Sequence, residues 1–123
     1  MGTSQAIKRI LVCGGRDYLS YMRLSEALDK LWGPDYLNVP TIIQGGAKGA
    51  DFLAKVYAHD CGIPCEEYSA DWKTYGKAAG HLRNQKMLDE GKPDLVVAFP
   101  GGTGTADMVA RARKAGVEVL VVE

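Results

Sequence analysis

The sequence predicts an α/β fold: a Rossmann-like three-layer sandwich on a five-stranded parallel sheet, with strand order 3-2-1-4-5. Three observations carry this. Short apolar, β-rich runs alternate with segments of helical spacing along the whole chain. Connections long enough to hold a helix imply parallel strands with helices on both faces. Three of the runs end in glycine-rich turns, the usual strand-to-helix junction of such folds. The 123 residues suffice for a single domain, residues 1–123, with one substantial core.

Residues 7–13 form the first expected strand, ending in Gly14-Gly15-Arg16-Asp17. Leu24, Ala27, Leu28 and Leu31 then recur at helical spacing, Trp32 packs at the helix end, and Gly33-Pro34 stops it before a connection at 35–39. Residues 39–44 are the second strand, entering Gly45-Gly46-Ala47-Lys48-Gly49-Ala50-Asp51. Leu53, Val56 and Tyr57 share a face of the next helix, which Gly62 ends. Residues 64–68 are a third strand, placed at an edge by Glu66 and Glu67. Residues 69–75 read as a loop carrying Asp71 and Trp72. A helix over 77–90 follows, with Leu82 and Leu88 toward the core and Gly91 and Pro93 as its end. Residues 94–98 are the fourth strand, leading into Phe99-Pro100-Gly101-Gly102-Thr103-Gly104-Thr105. Met108, Val109, Ala112 and Ala115 mark the last helix, which closes on Arg113, Lys114 and Gly116. Residues 117–122 are the fifth strand.

Bulk properties exclude several classes. Fifteen basic residues balance fifteen acidic ones, so nucleic acid is not an expected partner. The apolar runs are far too short for a membrane span. Residues 1–5 lack the apolar stretch of a signal peptide, and Ala6 breaks the myristoylation pattern. Cys13, Cys61 and Cys65 fit neither a zinc site nor a CxxC motif, and read as reduced thiols of a cytoplasmic protein with no metal.

In open parallel sheets, ligands sit beyond the carboxyl ends of the strands where the strand order reverses. With order 3-2-1-4-5, the turns at 14–17 and 101–105 face each other across one crevice, with 45–51 beside them. Glycines allow close backbone approach, and the unpaired N–H groups of a helix's first turn favour an anion such as phosphate. A plain βα turn that binds nothing is the alternative for each taken alone. None of the turns is a Walker A loop or a full dinucleotide fingerprint, so ATP hydrolysis and hydride transfer are not supported.

Single residues leave choices open. Arg16 suits bidentate pairing with a phosphate, or is a surface arginine. Asp17 accepts a ribose hydroxyl or caps a turn. Asp51 and Asp107 suit helix caps, because a carboxylate in a phosphate pocket repels the ligand. Lys77 and Asn84, seven apart, share a helix face with Arg83 beside it, facing a ligand, a subunit or solvent. Trp72 covers core or interface, or walls the pocket. Tyr18 and Tyr75 are pocket walls or core, and His59 and His81 have no evident partner.

Taken together, Gly14-Gly15-Arg16-Asp17-Tyr18, Gly45-Gly46-Ala47-x-Gly49-Ala50-Asp51, Asp71-Trp72-x3-Gly76-Lys77-Ala78-Ala79-Gly80-x2-Arg83-Asn84 and Pro100-Gly101-Gly102-x-Gly104-Thr105 resemble the SLOG superfamily, in particular its short YspA-like branch. The superfamily includes the Lonely-guy phosphoribohydrolases, the DNA-processing protein DprA and sensor domains for nucleotide-derived signals. The resemblance implies a pocket for a nucleotide or a derivative such as ADP-ribose or AMP, a homo-oligomer, and no obligatory cofactor. It implies ligand contacts from Gly14, Gly15, Arg16, Asp17, Gly45, Gly46, Ala47, Gly49, Trp72, Lys77, Arg83, Asn84, Pro100, Gly101, Gly102, Thr103, Gly104 and Thr105. One departure stands out: the phosphoribohydrolases carry a catalytic glutamate where this chain has Met108, and Asp107 is one residue early, about 100° away around a helix. Two functions follow. One is a binding module acting as sensor, carrier or sequestering protein. The other is a hydrolase of an N-glycosidic or phosphoester bond, with Asp17, Asp51 and Asp107 as candidate catalytic groups.

Overall fold

The computed structural model describes residues 7–32 and 38–123. Five strands, β1 (Arg9–Cys13), β2 (Thr41–Gln44), β3 (Cys65–Glu67), β4 (Leu95–Ala98) and β5 (Glu118–Val121), form one sheet in the order β3-β2-β1-β4-β5. Every pairing is parallel, as expected. The helices are α1 (Tyr21–Trp32), α2 (Ala50–Cys61), α3 (Trp72–Tyr75), α4 (Ala79–Gly91) and α5 (Thr103–Lys114), with a 3₁₀ turn at Gly76–Ala78 between α3 and α4.

The central strands are buried on both faces, so their side chains sort by parity into two cores. Ile10 and Val12 of β1 pack with Leu24 and Leu28 of α1 and Ala54, Tyr57 and Ala58 of α2. Leu11 and Cys13 point the other way, to Met87 and Leu88 of α4 and Met108 and Ala112 of α5. Trp32 seats the end of α1, its Nε1 donating to the Tyr57 hydroxyl at 2.8 Å. The expected stop at Gly33-Pro34 lies outside the described residues. Gly62 ends α2 in the left-handed conformation, and β3 lies at the sheet edge.

The segment before α4 departs from the expected loop. Asp71 caps a helical turn, accepting from the Thr74 N–H at 3.1 Å, so Trp72–Tyr75 is α3. Lys77 sits in the 3₁₀ turn, not on α4. Leu82 is exposed, because α4 turns Ala79, Asn84, Met87, Leu88 and Gly91 inward instead. Gly91 is helical and packs close to the Ile43 side chain, while Lys92 takes the left-handed position, at φ 47°. Tyr18 joins the core beside Phe99, whereas Tyr75 is exposed. Among the described residues, no helix is long and apolar enough to cross a membrane.

Candidate functional site

β1 and β4 are neighbours whose chains continue to opposite faces of the sheet, so the order reverses between them. A cleft of about 430 Å³ opens at their carboxyl ends. This lies within the range of small-molecule sites.

The turns that build it are tied together. The Gly15 N–H donates to the Pro100 carbonyl at 2.8 Å, and the Ala50 N–H donates to the Gly15 carbonyl at 3.1 Å. Gly49, at φ 75°, lies so close to the backbone of Gly15 and Arg16 that a Cβ would overlap it. Gly101 is similarly pressed against Gly15 and Thr105. The first and last turns therefore touch at their base, and both line the cleft above it.

The second turn also differs from a phosphate cradle. Gln44, buried at the end of β2, accepts the Gly46 N–H at 2.6 Å. Asp51 Oδ2 accepts the Ala47 N–H at 3.2 Å, and Arg83 Nη1 donates to the Gly45 carbonyl. These polar groups are satisfied within the protein. Asp51 lies in the first turn of α2, behind Gly49 at the N-cap. Burial pushes its carboxyl above the ordinary range, against the opposing hydrogen bond from Ala47 and the nearby Arg83 cation. Burial likewise lowers the pKa of Arg83, with Asp51 opposing.

The start of α5 is different. Gly102 is its N-cap and supplies no side-chain cap. A Cβ at Gly102 or Gly104 would meet nothing within 4 Å. Neither glycine has a positive φ, and both leave the start of the helix bare. The first-turn N–H groups of a 12-residue helix thus open onto the cleft beside Gly102, Thr103, Gly104 and Thr105.

Of the residues singled out in the sequence, Gly14, Gly15, Arg16, Asp17, Ala47, Asp51, Trp72, Lys77, Arg83, Asn84, Gly102, Thr103, Gly104 and Thr105 line the cleft. Gly45, Gly46, Gly49, Pro100, Gly101 and Asp107 are not in its lining. The structure adds Cys13, Gly80, His81 and Met87. Burial, with a smaller push from Asp51, raises the Cys13 thiol to about 12, so it is not a thiolate nucleophile at neutral pH.

Asp107 is not a cap. It sits in the second turn of α5 and gathers three donors: Asn84 Nδ2 at 3.0 Å, Arg111 Nε at 2.8 Å and His81 Nδ1 at 3.0 Å. Burial raises its pKa, but these hydrogen bonds outweigh that and leave it below the ordinary value. Asn84 also donates to the Gly104 carbonyl at 3.2 Å, clamping α4 to the start of α5. His81, expected to have no partner, is therefore paired. Its i, i+3 spacing to Asn84 was the available sign that both meet one neighbour. Met108 is fully buried in the core.

A family profile described as "YspA, cpYpsA-related SLOG family" matches residues 8–75. A curated relative, the Gene 61 protein of Mycobacterium phage D29, is 35% identical over 122 residues, covering 93% of this chain and 95% of that protein. The chain belongs to the YspA, cpYpsA-related SLOG family. Two solved structures share the fold. DNA processing protein A (DprA) from Streptococcus pneumoniae superposes with a TM-score of 0.69 at 16% identity over 95% of this chain. This chain spans half the length of DprA. The protein TM1055 superposes with a TM-score of 0.66 at 19% identity, over 92% of this chain and 72% of its own. The cleft of this SLOG-family chain lies at the reversal of strand order in a Rossmann-like sheet.

Proposed function

We propose that this SLOG protein binds a nucleotide-derived ligand of the ADP-ribose or AMP type in the cleft, as a sensor, carrier or sequestering protein. The observation that carries the reading is the uncapped start of α5, opening into the cleft between two bare glycines. The helix dipole and free N–H groups favour a phosphate there. Arg16, Lys77 and Arg83 supply positive charge in the same lining, and the Trp72 indole supplies a stacking surface.

Binding is favoured over hydrolysis by the fate of the carboxylates. The position of the phosphoribohydrolase glutamate is a core methionine, and Asp107 is committed to Asn84, Arg111 and His81. Self-association belongs to the same proposal. The exposed Leu120 and Val121 on the edge strand β5 support it, and sedimentation velocity tests it.

The test of binding is isothermal titration with ADP-ribose and AMP, beside native mass spectrometry of the purified protein. Gly102→Val puts a branched side chain into the open space where the phosphate would lie. The reading expects saturable binding by the parent and its loss in a folded Gly102→Val protein. Equal binding by both, or none by the parent, overturns it.

A further inference from the structure

The chain has two histidines, and one of them, His81 in the first turn of α4, lines the cleft. Among the described residues its ring is held by Asp107, Nδ1 to Oδ1 at 3.0 Å. A carboxylate at that distance requires a proton on Nδ1. Nε2 is then the ring nitrogen left open, outside the Asp107 contact. The side chain is 54% exposed and sits beside α5, whose first turn opens onto the same space.

We propose that His81 is a proton-gated anion contact: protonated at Nε2, it donates to a phosphate oxygen of the ligand, so the cleft holds that ligand more tightly as pH falls. The inference rests on the nucleotide reading above and names the regulation of that site.

Charge order supports it. The imidazolium would lie between the Asp107 carboxylate and a ligand phosphate, alternating in sign. Asp107 is well suited to the inner position. Both its oxygens are fixed by Asn84, Arg111 and His81, and its lowered pKa keeps it ionised throughout the range in which imidazole titrates. The same arrangement in which a carboxylate orients one ring nitrogen while the other acts is general to histidine sites. Other charged groups line the cleft: Arg16, Lys77 and Arg83 disfavour a further cation, while Asp17 and Asp51 favour it. Bound phosphate shifts that balance toward protonation, and by linkage the proton and the ligand strengthen each other by the same factor. Asp51 is the competing explanation. Its pKa is raised, and its protonation would also favour an anion at low pH.

The experiment titrates ADP-ribose calorimetrically at a series of pH values. Each phosphate of its diphosphate bridge carries a single strongly acidic proton, so the ligand's own charge is constant across the range. The parent should bind about fivefold more tightly at about pH 5.5 than at about pH 8. His81→Asn keeps a donor for Asp107 but has no second ring nitrogen, and should bind with no such slope. In NMR, with His59→Gln used for assignment, saturating ADP-ribose should move the His81 titration to higher pH. A slope that survives His81→Asn and vanishes in Asp51→Asn assigns the effect to Asp51 and overturns the inference. So does a His81 titration that ADP-ribose leaves unmoved. Binding that is flat with pH defeats this inference alone, whereas absence of binding at every pH defeats the nucleotide reading with it.

Discussion

The guanidinium of Arg16 lies over the indole of Trp72, its central carbon 5.4 Å from the ring centroid. Arg16 follows β1 and Trp72 opens α3, so this cation–π contact joins two separate walls of the cleft. Trp72 is 49% exposed and is not part of either core. Trp72→Ala should therefore change stability by no more than about 0.5 kcal/mol in denaturant titration. It should weaken ADP-ribose binding by about 5- to 150-fold, the range for loss of one base-stacking partner. A large loss of stability with unchanged affinity would return Trp72 to a packing role.

The glycines divide into two groups that mutation separates. Gly49→Ala meets both a left-handed backbone and an overlap with Gly15, and should cost about 2–5 kcal/mol in chemical denaturation. Gly102→Ala meets open space at an ordinary φ, and should cost less than about 0.5 kcal/mol. Similar losses for the two would show that the tight packing at Gly49 relaxes freely.

Asp51 and Asp107 should shape acid stability with opposite signs. Asp107 has a lowered folded pKa, so its contribution is present above the ordinary aspartate pKa of about 3.9 and is lost as pH falls through the lowered value. Asp51 has a raised folded pKa, so its ionisation weakens the fold above that raised value, and the penalty disappears as pH falls to the ordinary one. Asp51→Asn should accordingly be more stable than the parent at neutral pH, with the difference closing on acidification. Asp107→Asn should be less stable at neutral pH and converge with the parent only in strong acid. Urea midpoints measured against pH check both.

Restoring the phosphoribohydrolase glutamate should fail. Met108 is fully buried, so Met108→Glu places an unpaired carboxylate in the core and should cost at least about 3 kcal/mol. No adenine should be released from AMP by this variant or by the parent. Chromatography of the reaction mixture decides, and turnover by the parent would favour the hydrolase reading.

Much of the fold was legible because its signals are local. Ile10-Leu11-Val12 and Leu95-Val96-Val97 are continuous apolar runs, as strands buried on both faces must be, and each stops at glycines. The start of α5 at Gly102 was legible for the same reason. What was hidden depends on partners distant in sequence. The i, i+3 spacing of His81 and Asn84 points to a shared neighbour, but nothing local names Asp107, which meets both across the α4–α5 packing. Gln44 reads as an ordinary strand residue until its side chain closes the Gly46 turn. Leu82 looks like core, but α4, entered through the 3₁₀ turn at Gly76–Ala78, puts Asn84 and Met87 on its inner face. Lys92 adopts a glycine-like conformation that Gly91, one residue earlier, was expected to supply.

The binding between Gly15, Gly49 and Pro100 has a kinetic consequence. That floor is ordered when the chain folds, so a ligand arriving on it does not lose affinity by immobilising loops. The opposite wall is of another kind: residues 71–78 are all exposed, and Trp72 meets the floor through Arg16. Opening there breaks few buried contacts and leaves the floor intact. For the proposed ligand, this wall is the part of the cleft that can open without unfolding its floor. Substitutions along 71–78 should act on dissociation rates, while substitutions in the floor decide whether a cleft forms at all.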